Sequence, residues 1–219
     1  METVCTTFRI RSLRLIPVFL VLIICSSCFL EPGVHITSPE TDAVFEEGAT
    51  VKCTVSVSAA PDKVSELLWT SSRDGQIHAV AFDSPGSMPR SSFTTFSLSR
   101  GRHFIYCAAY GVKDFIGLDG VSITIGGPSD NDSLYVLLAH PRQGAMFDQD
   151  ASIIFAGGAG DPEQGELTGE ALLWTSSRDG SIGTGTTVAT DGLSAGEHLI
   201  TLTAATSSGT TQSRSVTIT

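Results

Sequence analysis

Charge is scarce in this chain: 16 % of its 219 residues are Asp, Glu, Lys or Arg, and the acidic ones outnumber the basic ones 23 to 13. A formal net charge of −10 argues against binding to a nucleic-acid backbone, which needs clustered Lys and Arg. Apolar residues spaced at three and four are nearly absent, so few helices are expected. Nor is there a Gly-x-Ser-x-Gly elbow, a His-Glu-x-x-His helix or a Gly-rich phosphate loop, and no acid, base and nucleophile cluster in the sequence. Aromatics make up 7 %, with two Trp and three Tyr, too few for an obvious sugar-stacking platform. The five cysteines are too sparse for a disulfide-rich scaffold.

What is present is repetition. Trp-Thr-Ser-Ser-Arg-Asp-Gly at Trp69 to Gly75 returns at Trp174 to Gly180. Aligning on it sets Pro39 on Pro141, Phe45 on Phe147, His103 on His198 and Val121 on Val216, which makes two halves of sandwich size. Period-two alternation marks Val51 to Val57 and Phe104 to Ala109 as strands with Cys53 and Cys107 facing inward. Leu67-Leu68-Trp69 reads as another strand, and Arg73-Asp74-Gly75 as the turn after it. The expected organisation is 1–27 leader, 28–33 tether, 34–125 first domain, 126–133 linker and 134–219 second domain. The Gly-Gly-Pro-Ser-Asp-Asn-Asp-Ser linker is polar and reads as a short hinge.

The N-terminus combines three arginines with an apolar run from Leu15 to Cys25 and small residues at Ser26 and Ser27, the pattern of an export signal. Ser26-Ser27-Cys28 resembles the end of a bacterial lipoprotein lipobox, although Cys25 stands where Leu is usual. The resemblance implies lipid on Cys28 and a membrane-anchored protein of the bacterial cell envelope. Phe29 in place of an acidic retention signal points to the outer membrane or the cell surface. A plain signal peptide cut nearby is the alternative. With Cys28 capped, Cys53 and Cys107 remain as one pair in a compartment that permits disulfides.

Cys53, Trp69 and Cys107 together resemble the cysteine, tryptophan, cysteine core of an immunoglobulin-like domain, with Trp174 as the second core tryptophan. The Gly-x-His openings at Gly101 and Gly196 are similar to those of PKD-like and bacterial Ig-like repeats. These resemblances imply an all-β fold of two tandem Ig-like sandwiches and a Cys53–Cys107 bridge. In the second half the alignment puts Phe155 and Leu202 where the cysteines stand, an apolar contact in place of the bridge.

Three places carry candidate function. Asp161, Glu163 and Glu166 crowd one turn that resembles the calcium-binding turns of PKD-like and cadherin-like repeats, with a solvated acidic turn as the alternative. Phe115 and Ile116 lie in a loop longer than its counterpart in the second half and could contact a protein partner, or fold back over the sandwich edge. An insertion around Asp83 to Arg90 lengthens the first half. The chain therefore reads as a non-catalytic spacer, adhesion or interaction module needing no cofactor, with an unidentified protein or glycan partner and no nucleic acid. The alternative is a carbohydrate- or polymer-binding accessory to an envelope enzyme.

Overall fold

The computed structural model describes residues 33–58, 64–82, 91–95, 98–112, 115–127, 129 and 132–219. The leader, Cys28 and the Asp83 to Arg90 insertion lie outside the described residues. The fold is all-β. In the N-terminal half β1 (Val34–Ser38), β3 (Val51–Val57) and β6 (Ser91–Thr95) form one sheet in the order β1-β3-β6. The facing sheet runs β2 (Ala43–Phe45), β8 (Phe115–Ile125), β7 (Gly101–Tyr110), β4 (Glu66–Ser71) and β5 (Gly75–Ala81). The pairing of β2 with β8 is parallel and the others are antiparallel, an Ig-like strand order.

The C-terminal half repeats the plan. Its first sheet centres on β10 (Ile153–Asp161), with β9 (Tyr135–His140) along one edge. The other edge is shared by β14 (Thr187–Thr190) and β11 (Gly165–Leu167). Its second sheet runs β13 (Gly180–Thr184), β12 (Leu172–Ser176), β15 (His198–Ala205) and β16 (Thr211–Ile218). One 3-10 turn, Gly169–Ala171, leads into β12.

Each half closes around its own apolar core. The first gathers Val51, Cys53, Val55, Trp69, Ile105, Cys107 and Ile123, the second Phe155, Leu172, Trp174, Ile200, Leu202 and Ile218. The aligned positions match in register as well: Cys107 pairs across from Trp69, and Leu202 from Trp174. Phe155 fills the slot of Cys53, its ring centroid 5.8 Å from that of Trp174. Side chains of this size stabilise by roughly 1.5 to 3 kcal/mol each when fully buried, so the apolar pair does in one half what covalent closure is expected to do in the other.

The bridge itself is a point of difference. Cys53 and Cys107 are free thiols in the structure, both buried in the first core. Burial pushes the Cys53 thiol up to about 12 and raises that of Cys107 further, so neither is a reactive thiolate at neutral pH.

A third apolar cluster joins the halves. Strand β7 is buried on both faces: Ile105, Cys107 and Ala109 enter the first core, while Phe104, Tyr106, Ala108 and Tyr110 face the C-terminal half. They meet β10, where Ala156, Gly158 and Gly160 present almost no side chain. A Cβ at Gly158 would lie 2.5 Å from the Tyr106 ring, and one at Gly160 would run into Phe104. The rings occupy the space that the glycines leave. Polar contacts close the rim: the Tyr110 hydroxyl donates to the Ala139 carbonyl at 2.9 Å, and Arg142 reaches Glu66 at 2.6 Å while lying 4.0 Å over the Tyr110 ring.

Candidate functional site

The repeated seven-residue stretch concentrates hydroxyls, an Arg and an Asp, and the structure shows what it builds. Trp69 and Trp174 are fully buried core residues, as expected. Two residues on, Ser71 Oγ accepts the backbone N–H groups of Arg73 and Asp74 at 3.2 Å and stands 2.9 Å from His103 Nδ1. His103 Nε2 lies 2.6 Å from the Ser99 carbonyl, which accepts only. The proton is therefore on Nε2, and Nδ1 accepts from the serine hydroxyl. Asp74 Oδ2 accepts the Ser99 N–H at 2.9 Å and sits 3.7 Å from His103 Nδ1.

The second half repeats every one of these contacts. Ser176 Oγ is 2.9 Å from His198 Nδ1, and His198 Nε2 is 2.6 Å from the Ser194 carbonyl. Asp179 accepts the Ser194 N–H at 3.0 Å. A Ser, His and Asp thus meet twice, but in both cases the hydroxyl and the carboxylate approach the same ring nitrogen, and a backbone carbonyl occupies the other. Nucleophilic catalysis by such a trio needs them on opposite nitrogens. The arrangement is a clasp that ties the turn after β4 or β12 to the loop before β7 or β15. Burial holds the His103 imidazole below its usual range, with the Ser99 carbonyl and Asp74 pulling the other way.

The arginine of the motif lies against the glycine that opens the next strand. Gly101 and Gly196 have φ of 125° and 124°, outside the reach of most side chains. A Cβ at Gly101 would be 2.9 Å from Arg73 Cζ, and one at Gly196 would be 2.5 Å from Arg178 Nη1. In the first half this guanidinium ion-pairs with Asp132, whose side chain is 8 % exposed. Both Asp132 oxygens also accept the Arg102 N–H at 3.2 Å, and the Ser129 N–H reaches Oδ2 at 3.1 Å. The segment expected to be a hinge is anchored to the first half by this carboxylate.

For the remaining candidate residues the structure favours the plainer of the two readings, a solvated acidic turn and apolar side chains that fold inward. Phe115 is not at an exposed loop tip; it begins β8 and is buried between the halves, 5.0 Å from the His140 ring and 5.6 Å from that of Tyr110. Its partner is the rest of the same chain. Ile116 packs on the first core. The acidic turn does not converge: Asp161 Oδ1 accepts the N–H groups of Glu163 and Gln164 at 3.0 and 2.9 Å, capping the turn, while Glu163 is exposed. Glu166, on β11, reaches across to Gly120 of the first half. Among the described residues no group of three or more His, Cys, Asp or Glu is placed to hold a metal ion, so the calcium set is not assembled.

What Glu166 meets instead is the first half's acidic edge. Partial desolvation, with Asp119 and Asp42 nearby, raises its carboxyl to about 7 although the residue keeps solvent access on one side. Tyr106, also at this seam, is buried, and its hydroxyl has no hydrogen-bond partner among the described residues. On the opposite side of the C-terminal half the outer face of β12, β15 and β16 is uncharged and rich in hydroxyls. Thr201 pairs with Ser215 at 2.9 Å and Thr203 with Ser213 at 2.8 Å, beside exposed Leu173 and Leu199.

No family model and no curated protein matches the chain. Among solved structures it is similar to the fibronectin(III)-like modules of Clostridium thermocellum CbhA, with 16% identity over 84% of this chain and 92% of that one at a TM-score of 0.35. It is also similar to the N-terminal Ig1-2 module of the Drosophila receptor protein tyrosine phosphatase DLAR, with 11% identity over 85% and 97% at a TM-score of 0.30. A third is SGBP-B of the Bacteroides ovatus mixed-linkage glucan utilization locus, in complex with a mixed-linkage heptasaccharide. Identity there is 12% over 85% of this chain and 47% of that one, at a TM-score of 0.28. The fold assignment rests on the strand order and register described above.

Proposed function

We infer that the chain is an exported, non-catalytic module of the bacterial cell envelope. Lipid on Cys28 would hold it to the membrane, and its Ig-like sandwiches would serve as a spacer, adhesion or protein-interaction unit. The observation that carries the non-catalytic part is the duplicated clasp: the side chains best suited to catalysis, His103 with Ser71 and His198 with Ser176, are committed to holding loops. The docked halves support the spacer part, because a pair joined over an apolar interface sets a fixed separation between its two ends. The glycan-binding alternative has in its favour the uncharged face of β12, β15 and β16. Its hydroxyls are already paired across strands, which leaves them less to offer a sugar.

Metabolic labelling with a fatty-acid analogue tests the anchor. The wild type should carry label and partition with membranes, and Cys28→Ala should lose both. Label retained by Cys28→Ala overturns the assignment.

A further inference from the structure

The two copies of the clasp differ in one respect that bears on binding. In the first, the Arg73 guanidinium and the backbone N–H of Arg102, on either side of Gly101, together hold the carboxylate of Asp132. Each group that touches that carboxylate by repeat has its counterpart in the second copy: Arg178, Gly196 and the backbone of Glu197. Replacement of Arg102 by Glu197 does not remove the contact, because the Arg102 side chain points elsewhere, to Asp42 and the Pro162 carbonyl. The two glycines share the same φ to within a degree, and both guanidinium groups lie against them. Arg178 is exposed, and among the described residues no carboxylate is within ion-pair distance of it.

We propose that Arg178, Gly196 and the Glu197 N–H form a carboxylate-binding port that takes an aspartate from a loop of a partner protein, as the first copy takes Asp132. The chemistry is a charge-assisted pair with a guanidinium that lies against Gly196 on a turn of fixed backbone. The turn is fixed by Ser176, which accepts the Arg178 and Asp179 N–H groups at 3.2 and 3.3 Å. In the first half the same contact anchors a strand-connecting segment; in the second it would tether a neighbouring protein. The port belongs to the folded sandwich and does not depend on how the chain is anchored.

The probe is a synthetic peptide with the sequence of residues 126–134, followed by saturation-transfer NMR as it is titrated onto the full chain in detergent. The port of the first half is already filled by its own Asp132, so the peptide reports the second. Saturable binding in the millimolar range is expected, weakening as salt rises. Arg178→Gln, or Asn at the Asp132 position of the peptide, should each weaken it about tenfold, the loss expected for one charge-assisted pair. Arg178→Lys, which keeps the charge without the planar fork, should fall between and controls for misfolding. Binding that is unchanged in Arg178→Gln, or no saturable transfer from the wild type, overturns the port.

Discussion

Glu166 and His140 both lie on the side of the C-terminal half that faces the first, and their contributions to stability depend on pH with opposite signs. Burial, with Arg142 nearby, lowers the His140 imidazole to about 4, and its Nδ1 has no hydrogen-bond partner among the described residues. Between pH 6.5 and 4 the unfolded state therefore binds more protons there, and stability falls as pH drops through that window. Glu166 has the opposite sign. Its folded value of about 7 lies above the ordinary 4.5, so its contribution is present below pH 4.5 and lost as pH rises towards 7. Glu166→Gln should thus match the wild type at pH 4 and be more stable at pH 7.5. We expect a gain of about 1 kcal/mol once solvent screening is allowed for, read by denaturant unfolding at the two pH values. An equal difference at both pH values would mean that the side chain acts through packing and not through charge.

At the scale of the strand, much was legible and one feature was not. Alternation marked Cys53 and Cys107 as inward, and the paired substitutions to Phe155 and Leu202 located the same slot in both halves. That the other half covers Phe115, and not the edge of its own sandwich, is hidden in the sequence, because the residues after β7 look like a loop and the covering half is remote along the chain. A signal for it existed. Phe104 to Tyr110 is apolar at every position, the mark of a strand covered on both faces, and Ala156 to Gly160 offers a run of small residues to receive it. Glycine in a strand reads first as weakness, and only the approaching ring shows its use. Strands β3 and β7 also carry the thiol pair, and we propose that a disulfide-bearing oxidant of the export compartment converts it to a bridge by thiol–disulfide exchange, itself being reduced to a dithiol. Denatured, unreduced protein from the envelope should then resist alkylation at Cys53 and Cys107. Its bridge would close a loop of 54 residues and stabilise by roughly 4 kcal/mol in the loop-entropy model. Ready alkylation of both cysteines would show that the core holds them reduced.

For the molecule as a whole, the seam decides what kind of object the chain is. The linker's composition suggested bending, yet Asp132 is held by Arg73, and the rings of Phe104 and Tyr106 lie on Gly160 and Gly158. An interface of this kind tolerates no added volume: overpacking a fitted contact costs about 1 to 3 kcal/mol. We predict that the halves move as one body because of this fit. Amide ¹⁵N relaxation measures it directly, by the rotational correlation time of each half in the same sample. We predict a single correlation time for both halves in the wild type, and two shorter, unequal ones in Gly158→Val, with each half still folded. Separate correlation times in the wild type, or an unchanged single one in Gly158→Val, would mean that this fit does not hold the halves together.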